Sequence, residues 1–208
     1  MSQDLNLSAS SHALDEETAR AEIYGLLSQL YYAAPSAELL GQLQVAVTEA
    51  PDAGGFLEEP WRDLVASARS LSQAQIAAEY NSLFGGVGKP EVYLFGSHYL
   101  SGFLNEKPLV RLRDDLAELG LGRSEGMSET EDHVAYVFEV MRFLIAGDDV
   151  AVSNLTRQQA FFNQHVQSWL PALCQVLQSQ PRAVFYARLA AFTEAFISVE
   201  SQGFDLVV

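Results

Sequence analysis

The chain has 208 residues, 49% of them hydrophobic, enough for a compact core that folds without cross-links. Acids outnumber bases 27 to 12 and give a formal net charge of −15, so the surface field repels nucleic acid and anionic lipid and attracts cationic partners. The single cysteine, Cys174, lies in an apolar run, which excludes a disulfide framework or a thiolate metal cluster within the chain.

Residues 1–14 are polar and Ser-rich and read as a flexible N-terminus, with ordered structure starting near Asp15. Ile23, Leu26, Leu27, Leu30 and Tyr31 then follow at helical spacing until Pro35. A second helix runs through Leu39, Leu40, Leu43 and Val47 to Pro51, and the loop DAGG separates it from WRDLVASARSL. SQAQIAAEYNSLF makes a fourth helix that ends at Gly85 and Gly86. The glycines and aromatics of GGVGKPEVYLFGSHYLSG lack a helical period and predict a long shaped loop holding a short helix.

Helix resumes with PLVRLRDDLAELG, where Pro108 suits the first turn and Gly120 the C-terminal cap. Residues 120–128 form a hinge, followed by helices at 129–146 and 150–169, a short piece after Pro171, and a last helix from about Arg182 to Glu200. No alternating strand pattern or solenoid repeat occurs. The expected fold is all-α, a single helical-bundle domain of about 8–10 helices over residues 15–208, which the hinge permits to be domain-swapped as a dimer.

The densest chemistry is SETEDHVAYVFEV, residues 128–140. With Ser128 as N-cap, Glu131 falls at the third helical position and completes a capping box, and Glu129 and Glu131 oppose the positive helix end. Val134, Val137, Phe138, Met141 and Ile145 form the core stripe, while Asp132, Tyr136, Glu139 and Phe143 take the opposite side. A carboxylate beside aromatic rings suits a basic peptide with apolar neighbours, so Asp132 and Tyr136 mark a candidate cleft. His133 lies between the two faces.

SETEDHV resembles the Glu-Pro-x-Asp-His signature of the TorD/DmsD/NarJ family of cytoplasmic molybdoenzyme-maturation chaperones, with matches at Glu129, Asp132 and His133 and with Thr130 where proline is usual. EYNSLFGGVGKPEVYLFGSHYLSG resembles the family's Leu-Phe segment and its following pattern at Leu83, Phe84, Pro90, Ser97, Tyr99 and Gly102. Trp169 and Pro171 resemble its Trp-x-Pro corner, and the likeness extends from about Ile23 to Glu200. It implies a non-enzymatic chaperone, most TorD-like, that binds the twin-arginine signal peptide and apo form of a molybdoenzyme precursor in the cytoplasm. It would assist molybdenum cofactor insertion and delay export, as a monomer or homodimer.

By the same resemblance Asp132 and His133 belong to a peptide site with Glu129 alongside, and Glu79 and Tyr80 are weaker candidates. The chain has no adjacent arginines, and so no twin-arginine signal of its own, and no apolar run of membrane-spanning length. The competing class is an acidic helical scaffold for another basic partner. A metal enzyme would need paired Glu-x-x-His or His-Glu-x-x-His, and neither is present. GGVGK at 85–89 is not a phosphate loop, because Lys89 precedes Pro90, so the only cofactor expectation is weak GTP binding by family analogy. Cys174 reads as a small buried hydrophobe.

Overall fold

A computed structural model describes residues 4–48, 55–85, 88–123 and 126–206. The expected DAGG loop is outside this range except for Gly55, as are Pro51, Gly86 and part of the 120–128 hinge. Ten α-helices and one π-helical turn occur among the described residues, with no strand beyond a single antiparallel bridge between Phe95 and His133. The helices are α1 (Asp4–Tyr32), α2 (Ala37–Val45), α3 (Glu58–Ser70), α4 (Gln73–Phe84), α5 (Gly96–Ser101), α6 (Lys107–Glu118), α7 (Val134–Ala146), α8 (Leu155–Phe161), α9 (Leu170–Ser179) and α10 (Phe185–Asp205). The helical backbone of α1 thus reaches back past Asp15 to Asp4.

Packing of α1 on α7 forms the centre. Ala21, Tyr24, Leu27 and Tyr31 on α1 meet Val134, Val137, Phe138, Met141 and Ile145 on α7, the stripe expected from a 3.6-residue period. The far wall is α10, where Phe185, Leu189, Phe192 and Phe196 are buried as their spacing requires. Tyr24 packs edge-on against Phe196 with centroids 4.9 Å apart. Polar ties cross this core as well: Glu200 accepts from Arg20 Nε at 2.7 Å, Arg20 Nη2 at 2.9 Å and the Tyr24 hydroxyl at 3.0 Å. A buried carboxylate that satisfies a guanidinium and a phenol fixes the register of α1 on α10.

Helix α2 ends at Val45, short of the expected Val47 and Pro51, and two further boundaries differ from the sequence reading for a polar reason. The helix expected over 150–169 starts at Leu155, because Asn154 caps α8 by accepting from Arg157 N at 3.1 Å, and it passes into a π-helical turn at Phe162–Gln167. Helix α7 starts at Val134 instead of 129, with His133 as N-cap in place of Ser128. The capping box does not form, since Glu131 turns away and accepts from Arg113 of α6 at 2.8 and 3.1 Å. An ion pair to a neighbouring helix outcompetes a local cap there. Gly120, with φ of 72°, ends α6 as expected, and Leu121 N donates back to Leu116 O at 2.8 Å.

Candidate functional site

The bridge between Phe95 and His133 lays the segment before α5 across the start of α7. Val134 N donates to Leu94 O at 2.8 Å, and Gly96 N donates to Asp132 O at 2.9 Å. Beside this bridge lies a cleft of about 270 Å³ lined by the aromatic rings of Tyr32, Tyr80, Phe84 and Phe95, with His133 and Glu129 completing it. Four elements thus supply it: the end of α1, the end of α4, the 90–95 segment and the loop before α7.

Of the six residues singled out from sequence, three line this cleft. Glu129 is the one carboxylate in its lining, is partly exposed, and its side chain makes no hydrogen bond or ion pair among the described residues. Tyr80 donates from its hydroxyl to Tyr32 O at 2.7 Å, closing the last turn of α1. Burial, then the charge of Glu129, push that hydroxyl up to about 12, so it remains a donor at neutral pH. His133 is 4% exposed, and its Nδ1 accepts from Ala135 N at 3.2 Å. Its proton therefore sits on Nε2 when the ring is neutral. Burial lowers its pKa to about 4 against the opposing pull of Asp132, so no imidazolium charge opposes a cation in the cleft.

Tyr136 stands just behind, with its ring 5.8 Å from both His133 and Tyr32. Its hydroxyl is buried beside Tyr32, Ser128 and the Glu129 backbone.

The remaining two residues are used differently from the expectation. Asp132 was expected to offer an open carboxylate, yet it is 3% exposed and fully engaged. Its Oδ2 accepts from Ser97 N at 2.9 Å and its Oδ1 from the Thr130 hydroxyl at 2.6 Å. Since Phe95 gives α5 no side-chain cap, Asp132 serves as that cap from a distant part of the chain. Glu79 likewise turns inward, accepting from Val184 N and Tyr186 N at 2.8 Å and Phe185 N at 3.1 Å, and so caps α10. Both are positioning residues: Asp132 holds α5 to α7, and Glu79 holds α4 to α10.

Tyr32, Phe84 and Phe95 were not singled out as binding residues. Phe84 and Phe95 fall within segments that drew notice for their pattern, but the exposure of Tyr32, at 45%, has no sequence signature.

The outer face of α7 is also open. Tyr136, Glu139, Val140 and Phe143 border an apolar groove of about 450 Å³ against the end of α6, as the two-sided pattern of that helix implied. A larger groove of about 810 Å³ between α1, α2 and α7 carries Glu17, Glu22, Glu139 and Asp148 against one cation, Arg142, which Glu139 already engages at 2.9 Å. Among the described side chains the histidines do not converge: His165 pairs with Asp115 at 2.5 Å, and His98 stacks on Tyr93. No group of three or more His, Cys, Asp or Glu side chains suited to a metal gathers among the described residues. Cys174 is fully buried, and burial pushes its thiol pKa up.

Residues 51–175 match the family model described as nitrate reductase delta subunit, a span that includes every cleft residue except Tyr32. Among curated proteins, the chain is 26% identical over 198 residues to a protein named Chaperone protein TorD from Aliivibrio fischeri, covering 87% of this chain and 92% of that one. A protein of the same name from Vibrio cholerae serotype O1 is 26% identical over 205 residues, with 91% and 93% covered. That from Vibrio parahaemolyticus is 24% identical over 204 residues, with 88% and 93% covered.

Proposed function

Since the chain belongs to the nitrate reductase delta subunit family and is a TorD-like maturation chaperone of molybdoenzymes, not an enzyme, we propose that its aromatic cleft binds the twin-arginine signal peptide of a molybdoenzyme precursor. One observation carries this reading: Glu129 presents an unpaired carboxylate at a cleft walled by four aromatic rings. A guanidinium gains a charge-assisted hydrogen bond from the carboxylate and a cation–π contact from a flanking ring, worth together about 2–4 kcal/mol when water is excluded. The apolar stretch that follows the arginines in such a peptide would continue into the groove beside Phe143.

The chaperone holds the precursor in the cytoplasm while the molybdenum cofactor is inserted, and a bound signal peptide is withheld from the export machinery. No helix among the described residues is long and apolar enough to cross a membrane. The protein itself contributes binding and occlusion only, and weak GTP binding, carried over from the family resemblance, is a separate property open to calorimetry.

The acidic groove of Glu17, Glu22 and Asp148 favours a second reading, a scaffold that holds any basic segment. Titration of the protein with a labelled signal peptide separates the two. Under the chaperone reading, replacing both peptide arginines by alanine removes most of the affinity even at high salt, and Glu129→Gln costs about tenfold. Should the arginine-free peptide bind as well at high salt, or Glu129→Gln bind as the wild type does, the cleft assignment is wrong.

A further inference from the structure

On the side of the molecule formed by α5, α6 and the π-helical turn, the surface chemistry reverses. Of the twelve basic residues in the chain, six are ion-paired to carboxylates among the described residues. Lys107 and Arg111 are not, and neither makes a side-chain hydrogen bond among the described residues. Both line one cavity of about 480 Å³ that has no acidic residue in its lining. The acids nearest in sequence are Glu106, which precedes Lys107, Asp114, and Asp115, which is already engaged by His165 and Gln164.

Large apolar side chains crowd the same corner. Leu100, Phe103, Leu104 and Val110 are 44%, 70%, 41% and 55% exposed within a stretch of eleven positions, 100–110. Lys107, Val110 and Arg111 share the outward face of α6, because they are spaced three and four residues apart while Leu109, Leu112 and Leu116 point into the core. Such a concentration of exposed apolar area beside uncompensated cations marks an interaction surface.

We propose that this corner is a second docking site, for a segment of a partner protein in which carboxylates alternate with apolar side chains. Charge complementarity selects the acids, and Phe103 and Leu104 supply apolar anchors. An anionic bilayer fits less well, since the chain's net charge of −15 repels it everywhere else. The site is separate from the Glu129 cleft and does not depend on what that cleft holds.

The test is fluorescence anisotropy with a short labelled peptide that alternates Asp and Glu with Leu and Phe, and with its twin carrying Lys at the acidic positions. The full chain should bind the acidic peptide at least about tenfold tighter than its twin at physiological ionic strength. Lys107→Glu with Arg111→Glu should lose at least about tenfold for the acidic peptide, and so should Phe103→Ser with Leu104→Ser. Circular dichroism melts should match wild type, because all four side chains are exposed, and affinity for a twin-arginine peptide should be unchanged. Equal binding of the two peptides, or unaltered binding by either double variant, overturns the proposal. So does capture by phosphatidylglycerol vesicles, or self-association that these substitutions abolish, in the absence of acidic-peptide binding.

Discussion

Replacement of Asp132 by alanine separates a structural carboxylate from a binding one. In the structure this side chain accepts from Ser97 N at 2.9 Å and from the Thr130 hydroxyl at 2.6 Å, and it is 3% exposed. Alanine leaves the Ser97 amide without a partner at the start of α5, a buried donor that costs about 1–3 kcal/mol, and it removes the hydroxyl contact as well. The sum is about 2–4 kcal/mol, or a fall in melting temperature of roughly 5–15 °C for a chain of this size. Asp132→Asn retains an acceptor for Ser97 N and should lose about half as much. Differential scanning calorimetry gives the stability, and anisotropy with the signal peptide, measured well below the melting transition, gives the affinity. Because Asp132 positions the Phe95 and His133 walls without lining the cleft, affinity should fall less than about threefold while the fold is intact. A variant that melts like wild type but binds the peptide ten times more weakly would refute this assignment and return Asp132 to the binding surface.

The other consequences follow from the same contacts. Glu79→Ala frees three amides at the start of α10 and should destabilise the fold by about 1–3 kcal/mol in urea titrations, with peptide affinity retained below the transition. The folded-state pKa of His133 lies at about 4, below its ordinary value of 6.5, so between those pH values the unfolded chain binds the proton and the folded one does not. Its titration therefore has no effect on stability above pH 6.5 and removes about 3 kcal/mol as pH falls through 4. His133→Asn keeps a capping side chain and abolishes the titration, so its stability relative to wild type should rise by that amount between pH 7 and 4; parallel curves would count against a buried neutral imidazole. Phe192→Ala, at a 2% exposed site whose ring centroid is 5.3 Å from that of Trp61, should cost about 3–5 kcal/mol and lower peptide binding only through loss of folded protein.

Much of the fold was legible because helices announce themselves locally. The stripes on α1, α7 and α10 follow from residues three and four apart, and the same residues are buried in the structure. Gly120 and Pro108 punctuate α6 where backbone chemistry alone requires them. The candidate site was legible as a neighbourhood: Glu129, His133 and Tyr80 do come together, although they belong to segments some fifty residues apart in the chain.

The role of each carboxylate was not legible. Glu79, Glu129, Glu131 and Asp132 are chemically similar, and the sequence placed three of them at one helix start and Glu79 within another helix. Which one stays free depends on where orphan amides and guanidiniums from other segments arrive. Ser97 N claims Asp132, the start of α10 claims Glu79, and Arg113 claims Glu131. Glu129 is left unclaimed among the described residues.

The sequence by itself determined an acidic, all-helical chain and the faces its helices bury, since charge is additive and helical periodicity is set by neighbours along the backbone. Tertiary structure alone decided which acid stays unpaired, because backbone amides and guanidiniums from distant segments converge on the others.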